Sequence, residues 1–425
     1  MDRQVISYLK EFFCTPVAKG GFGWTNNDYS NVTSCFTAFY AVVTVFAGMV
    51  IDKIGTKMGL ALSLITWSVF GIANAFAGAS VVVHMIVRSL FGIGEGGNFP
   101  ASIKTIAEWF PKKERALATG LFNSGSNIGA MIASLFVPWC LLYFGAVPGW
   151  KYAYMITGGI GFIWLIFWFA LYSTPAACAK LEKPEYDYIH SDDIAMHVAP
   201  SEDVTTGNKI SWFQLLTYPQ TWAFFFGKFM TDGVWWFLLF WLPDYLKKQF
   251  GFTGHQVMLP TFIVYGIAIF GSTLGGGIPM FLINRGMSVQ KARMTAMFGI
   301  SLFPLLLLTT QYFGNKANFG DNAAVLAVAV ICIAAAAHQA FSANLFTTVS
   351  DMFPKRTVGS VTGIGGLAGG IGGVIIQKLA GHFTDVYKDT PQTAYGIMFA
   401  VCALAYIIAW TLIKLLTSKP ANIPA

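Results

Sequence analysis

The chain has 425 residues, of which 55% are hydrophobic and only 11% are charged, and its mean hydropathy is +0.58. A soluble domain has roughly a quarter of its residues charged, so this composition excludes a surface that faces mostly water and indicates one that faces lipid. The net charge of +7 comes from lysines and arginines gathered in particular loops. It therefore indicates orientation in a membrane, and we expect no nucleic-acid partner.

Eleven apolar stretches follow one another, each about 20 residues long, which lets a helix cross a hydrocarbon core about 30 Å thick. They predict spans at 33–51, 58–77, 79–103, 116–141, 152–174, 220–246, 258–283, 291–312, 322–347, 357–380 and 393–416. The sequence therefore predicts an all-α integral membrane protein, which we expect in a bacterial cytoplasmic (inner) membrane.

The loop charges also predict the path of the chain. The positive-inside rule places both the central polar interval and the C-terminus in the cytoplasm. Eleven spans then leave residue 14 outside, and residues 1–13 are too short to cross alone. We expect the numbering to begin partway through a first helix, and the full protein to have twelve spans with both termini cytoplasmic.

An internal repeat divides the chain into two halves. The segment Glu108–Lys113 recurs as Asp351–Arg356, and both lead into glycine-rich helices. Two such halves in the same orientation are typical of transporters that bind a substrate between two rocking bundles. The predicted divisions are an N-terminal bundle at 1–174, a cytoplasmic linker at 175–218, a C-terminal bundle at 219–417 and a tail at 418–425.

Three groups of motifs resemble a known family. Gly48–Lys57 resembles the loop motif of the major facilitator superfamily, and Arg88–Pro100 with Glu108–Pro111 resembles its anion:cation symporter branch. Trp235–Pro243 with His338–Asn344 is most similar to the hexuronate (glucuronate and galacturonate) transporters. The resemblance implies the major facilitator fold of two six-helix bundles. It also implies symport of a sugar acid by alternating access, with a proton or sodium as the coupling ion and no enzymatic activity.

Two charges in the predicted span 79–103 need a reason to be there, because each costs roughly 2.5 kcal/mol or more in a membrane. Arg88 and Glu95 are seven residues apart, which places them on one helical face. The resemblance implies that Arg88 binds the substrate carboxylate and that Glu95 carries the proton. The alternative is a structural ion pair.

Asp2 and Arg3 are similar to an acid–arginine pair in the first helix of the family. The resemblance implies that Asp2 is a second proton site and that Arg3 is a second anion ligand. Adjacent residues point in different directions on a helix, so they can have separate roles. If Met1 is the true start of the protein, we no longer expect Asp2 to have this role.

A third set is predicted on one face of the seventh span, where Lys228, Asp232, Trp235 and Trp236 have helical spacing. Lys228 and Asp232 can pair, and Asp232 is a candidate for proton coupling. The two indoles can line a cavity and donate to sugar hydroxyls. The alternatives are a structural pair and an interfacial aromatic belt.

Other polar side chains within spans are candidates to bind ligand hydroxyls, with helix-to-helix hydrogen bonds as the competing use. They are Tyr40, Ser126, Asn127, His338, Gln339 and Asn344. Four loop residues are candidates for conformational gating, with simple charge orientation as the alternative. They are Asp52, Lys53, Gly55 and Lys57.

The six cysteines are scattered without metal-ligand spacing, and the glycines of 357–380 lack the strand and the Gly-Lys-Ser ending of a nucleotide loop. We therefore expect no metal and no cofactor, and nothing requires more than a monomer.

Alternatives to a hexuronate as the substrate are an aldonate, a glucarate or another organic anion. A transporter-like membrane sensor is a further alternative.

Overall fold

The computed structural model describes residues 1–110, 112–189, 212–353 and 355–417, in which it contains helices and no strand. Some side chains inside these ranges, including that of Asp52, are not among those described. The helices are α1 (Asp2–Cys14), α2 (Asn26–Ile54), α3 (Thr56–Ala73), α4 (Val81–Gly96), α5 (Asn98–Trp109), α6 (Lys112–Phe144), α7 (Ala146–Leu171), α8 (Lys183–Ile189), α9 (Trp212–Leu215), α10 (Pro219–Phe250), α11 (Met258–Asn284), α12 (Val289–Leu302), α13 (Thr310–Phe313), α14 (Lys316–Phe319), α15 (Ala323–Met352), α16 (Lys355–Val386) and α17 (Pro391–Leu416).

The predicted all-α membrane fold is confirmed. Within the described ranges, ten segments are long and apolar enough to cross a membrane. Large apolar side chains such as Ile166, Leu171 and Leu274 are about 70% exposed or more. A surface of that kind is stable against lipid and not against water.

The predicted span 79–103 is divided into α4 and α5 at Gly97. Pro100 has no N–H, so it cannot donate the helical hydrogen bond to the carbonyl of Gly96. The hydroxyl of Thr44 on α2 lies 3.4 Å from that free carbonyl. Gly97 keeps near-helical dihedral angles (φ −82°, ψ −15°), so the chain continues across the bilayer with a local break.

The repeat seen in the sequence has a counterpart in the backbone. Helix α5 ends just before Phe110 (φ −124°, ψ 134°), and helix α15 ends just before Phe353 (φ −118°, ψ 144°). Each of these residues donates its N–H to the carbonyl four residues earlier, and each precedes a proline. The same local sequence thus ends a helix in the same way in both halves.

Helices α1–α7 form the first half and helices α10–α17 form the second. We call the end of the bundle that carries α8 and α9 the linker end, and the opposite end the distal end. At the distal end the halves are joined by hydrogen bonds. The Asn26 amide donates to Asp385 at 2.8 Å, the Ser30 hydroxyl to the Gln377 carbonyl at 2.8 Å, and the Gln377 amide to Thr37 at 2.8 Å.

The two halves separate toward the linker end, as the contact between α2 and α16 shows. Near the middle of the bundle, a Cβ atom added to Gly370 would lie only 2.0 Å from Cβ of Ala41. One turn nearer the linker end, a Cβ at Gly366 would meet nothing closer than the Thr44 methyl group, at 3.9 Å. Closure at one end and divergence at the other leave a cleft between the halves.

Candidate functional site

An ion pair between α1 and α4 lies at the base of the cleft. The Arg3 guanidinium donates to one oxygen of Glu95 from Nη2 at 2.6 Å and from Nε at 3.0 Å. The two side chains keep 23% and 17% of their exposure, so space between the halves reaches them. The second oxygen of Glu95 has no hydrogen-bond partner among the described residues. The pair is therefore formed but accessible.

Three aromatic rings enclose the Arg3 guanidinium. Its carbon lies 4.9 Å from the ring centre of Tyr40, 4.9 Å from that of Trp236 and 5.6 Å from that of Phe36. Trp236 belongs to the second half, whereas Tyr40 and Phe36 belong to the first. Both halves thus contribute to the surroundings of one cation, as an alternating-access site requires.

Arg88 differs from Arg3 in its surroundings. Its side chain is fully buried, with the guanidinium carbon about 5 Å from the rings of Phe36 and Phe91. Nη2 donates to the backbone carbonyl of Arg3 at 3.2 Å, while Nε and Nη1 have no partner among the described residues. Arg88 and Glu95 do face the same helix, α1, as their spacing predicted. A direct contact of Arg88 with substrate stays a prediction, and the accessible cation is Arg3.

Asp2 points away from Arg3, as expected for neighbours on a helix. Its carboxylate lies beside Thr157 of α7, and one of its oxygens is buried without a hydrogen-bond partner in the described part of the chain. Its role in proton coupling stays a prediction.

The predicted pair on α10 is present. Lys228 Nζ lies 2.7 Å from Asp232 Oδ2, and the two side chains are 7% and 21% exposed. Lys228 also lies 4.4 Å from the ring centre of Phe346. A Cβ atom at Gly369 of α16 would lie 2.2 Å from the Asp232 carboxylate, so glycine is needed where α16 passes this pair.

Trp235 and Trp236 contact different neighbours, and their common role in lining a cavity stays a prediction. Trp235 stacks on His338 of α15, with ring centres 5.0 Å apart and planes within 3°. His338 Nδ1 in turn lies 2.9 Å from the Tyr406 hydroxyl. Trp236 faces Tyr40 across the cleft instead. Successive residues are about 100° apart on a helix, which separates the two rings.

The remaining predicted ligands differ in position. The Asn344 amide is buried and donates to the Gly275 and Ala340 carbonyls, at 2.8 Å and 2.9 Å, which is the competing use in helix packing. Asn127 is buried, Gln339 is half-buried and Ser126 is exposed. A role of these residues in binding ligand hydroxyls stays a prediction.

The candidate gating residues lie at the linker end of the first half. Gly55 joins α2 to α3 with a positive φ of 83°, which favours glycine. Lys57 donates to the Phe169 carbonyl at 3.1 Å, so it binds the end of α7 within its own half. Lys53 is exposed, and the side chain of Asp52 lies outside those described. The gating role stays a prediction.

Two charged residues near the distal end were missing from the predicted site. Lys10 of α1 and Asp244 of α10 form a buried ion pair at 2.6 Å. Both are charges in apolar segments, a signal that could have singled them out. Their pairing across more than 200 residues could not be read from the sequence.

Comparison with known proteins adds to this geometry. The Major Facilitator Superfamily profile matches residues 5–377. The hexuronate transporter of Escherichia coli (strain K12) is 30% identical over 93% of this chain and 87% of its own length. The galacturonate transporter of Dickeya chrysanthemi is 32% identical over 60% of this chain and 71% of its own length.

A solved structure has the same fold. The crystal structure of a bacterial homologue of the human lysosomal transporter Spinster, in an inward-facing and occupied conformation, aligns with a TM-score of 0.72 at 17% identity. The alignment covers 100% of this chain and 95% of that one. The cleft between two helical halves thus lies in a fold shared with known transporters.

Proposed function

Because the chain belongs to the major facilitator superfamily, we propose that it is a secondary active transporter that couples the entry of a proton to that of a hexuronate or a related sugar acid. The observation that carries the proposal is the Arg3–Glu95 pair, which lies in the cleft beneath a tryptophan of the other half. Relatives that are named hexuronate and galacturonate transporters support the choice of substrate class.

The substrate carboxylate binds to Arg3. A guanidinium can donate two parallel hydrogen bonds to a carboxylate, and in this structure these donors point at Glu95. The rings of Tyr40 and Trp236 flank this position and provide a phenol and an indole N–H for hydroxyl groups. A sugar acid presents both kinds of group.

Binding is coupled to the proton by competition for Arg3. When the substrate carboxylate takes the guanidinium, Glu95 loses its counter-charge in a poorly hydrated site. An unpaired carboxylate there is costly, and protonation removes the charge. Substrate and proton are therefore bound together, and the Arg3–Glu95 pair reforms once both have left.

The conformation of the cleft is one of the two states of an alternating-access cycle. The positive-inside rule makes the linker end cytoplasmic, so closure at the distal end leaves the site facing the cytoplasm. In this state Trp236 of the second half covers Arg3 of the first, so a rocking motion of the halves also changes the enclosure of the site. The membrane is proposed to be the bacterial cytoplasmic membrane.

The test measures by calorimetry, at one pH, whether four compounds bind to the purified protein. They are the sugar acids glucuronate, galacturonate and galactonate, and the neutral sugar glucose. We expect at least one uronate to bind and glucose not to bind, since only the acids have a carboxylate for Arg3. Binding of galactonate alone would keep the transporter class and change the ligand to an aldonate. Equal binding of glucose would contradict the carboxylate role of Arg3.

A further inference from the structure

The transport proposal does not use a buried charge cluster at the distal end, where α1 meets α10. Lys10 Nζ lies 2.6 Å from Asp244 Oδ2, and the two side chains are 1% and 7% exposed. Lys248 lies 3.5 Å from the same oxygen, and the Tyr395 hydroxyl donates a hydrogen bond to it. The Asp244 carboxylate is thus held by two cations and one phenol.

The Lys10 ammonium has partners from both halves as well. It donates to the side-chain carbonyl of Asn26 at 2.7 Å and lies 5.4 Å from the ring centre of Tyr29, both in the first half. It also lies 4.3 Å from the ring centre of Trp241 in the second half. Asn26 donates in turn to Asp385 of the second half at 2.8 Å. The cluster therefore crosses the boundary between the halves.

A pair that crosses this boundary is sensitive to conformation in a way that a pair inside one half is not. Lys228 and Asp232, for example, lie on one helix and stay together whichever way the halves rock. Lys10 and Asp244 lie on α1 and α10, so they separate when the distal ends of these helices move apart. Each ion must then be rehydrated or left without its counter-charge.

We propose that Lys10 and Asp244 form a latch that holds the distal side of the cleft closed and so sets the balance between the two orientations of the site. The latch favours the state that opens toward the linker end, because only in that state are both buried charges paired. This inference rests on the alternating-access part of the proposed function. It depends on neither the identity of the sugar acid nor the coupling ion.

The chain provides a matched control at the same junction. Lys247 lies 2.7 Å from Glu11, and this pair also joins α10 to α1, but the Glu11 side chain is 54% exposed. An exposed ion pair contributes little, since water solvates both charges whether or not they touch. If burial of the charges matters, removing Glu11 should have little effect where removing Lys10 has a large one.

The test measures how often the distal side opens. A variant in which all six native cysteines are replaced receives the single cysteine Ser30→Cys. Ser30 is fully buried between the halves, where its hydroxyl donates to the Gln377 carbonyl at 2.8 Å. A bulky maleimide therefore reacts with this cysteine only when the halves part. The rate of modification is measured on purified protein, without any sugar acid.

We expect Lys10→Met and Asp244→Asn each to accelerate modification by about tenfold or more, because each removes the buried ion pair that joins the two halves in the closed state. Glu11→Gln should change the rate by no more than about twofold. A parental rate in Lys10→Met, or equal acceleration in Glu11→Gln, would overturn the latch.

Folding of each variant is checked by gel filtration before the rate is measured. Asp244→Asn keeps the shape of the side chain. If Lys10→Met does not yield a monodisperse protein, the modification rate of Asp244→Asn is used to test the latch. Because no transport is measured, a negative result would leave the sugar-acid assignment intact. Conversely, a protein that binds no sugar acid could still show the latch.

Discussion

The Arg3 guanidinium places two donors, Nη2 and Nε, on a single oxygen of Glu95, at 2.6 Å and 3.0 Å, across 92 residues of sequence. Pairing through one oxygen leaves the other carboxylate oxygen, which is buried, without a hydrogen-bond partner among the described residues, while the side chains of the pair stay partly exposed. A permanent structural ion pair would be expected to satisfy both oxygens. This incomplete pairing supports the proposal that a substrate carboxylate replaces Glu95 at Arg3.

Arg3→Lys should weaken binding of the sugar acid while keeping the charge. Lysine cannot donate two hydrogen bonds in a fixed plane or stack flat under Trp236. Loss of one charge-assisted hydrogen bond costs about 1.5–3 kcal/mol, which corresponds to about tenfold or more in affinity. The measurement is calorimetric. The control is Arg285→Lys, an exposed arginine at the linker end, which should bind as the parent does. Parental affinity in Arg3→Lys would mean that Arg3 is not the anion ligand.

Glu95→Gln should keep the exchange of substrate across the membrane but lose the accumulation of substrate driven by the proton gradient. The amide keeps an acceptor for Arg3 but cannot carry a proton, so substrate can still cross while the proton gradient no longer drives it. We expect counterflow of labelled substrate to persist in proteoliposomes and gradient-driven uptake to be lost. Glu11→Gln, the same change at an exposed distal position, serves as the control and should keep both. Gradient-driven uptake by Glu95→Gln would mean that another carboxyl group carries the proton, with Asp2 and Asp232 as the candidates.

Gly369→Ala should impair uptake by displacing Asp232 from Lys228. The added Cβ would lie 2.2 Å from the Asp232 carboxylate, a distance that no ordinary contact allows. Gly366→Ala, one turn away on α16, adds the same atom where its nearest neighbour is 3.9 Å away. Initial uptake rates are compared after expression is matched. Equal rates in the two variants would show that the geometry of the Lys228–Asp232 pair is not needed.

On the sequence-based prediction that Arg88 also binds the substrate carboxylate, Arg88→Met should strongly reduce uptake without lowering thermal stability. Two nitrogen atoms of the buried guanidinium, Nε and Nη1, have no partner among the described residues, and replacing such a charge by an apolar side chain is often neutral or stabilising. We expect a melting temperature in detergent equal to or above that of the parent. A clearly lower melting temperature together with unchanged uptake would make Arg88 a structural residue that supports the Arg3 backbone.

The fold was largely predictable because membrane spans depend on local composition. The spans of α2, α3 and α17 follow from apolar stretches of sufficient length, and the repeat at Phe110 and Phe353 follows from local sequence. The break at Gly97 was not predicted, although Pro100 is a signal for it. It depends on a missing hydrogen bond, which hydropathy does not detect.

The types of residue in the site could be predicted from the sequence, but the residues that each of them contacts were less predictable. Charges inside spans identify Arg88, Glu95 and Asp232 as residues that need a reason to be there, whereas Arg3 was identified through the family resemblance. Helical spacing correctly predicts the Lys228–Asp232 pair. Which cation faces the cleft depends on how α1 packs on α4, and this packing exposes Arg3 and buries Arg88. The Lys10–Asp244 contact likewise depends on how the two halves meet.

The central claim, that the Arg3–Glu95 pair couples a sugar acid to a proton, is tested most directly by uptake into proteoliposomes. Labelled glucuronate and galacturonate are offered with and without an inward proton gradient, and a protonophore is added at the plateau. We predict that at least one of them accumulates above its external concentration only with the gradient, and leaves when the protonophore is added. Uptake that merely equilibrates in the presence of the gradient, for both acids, would contradict the account.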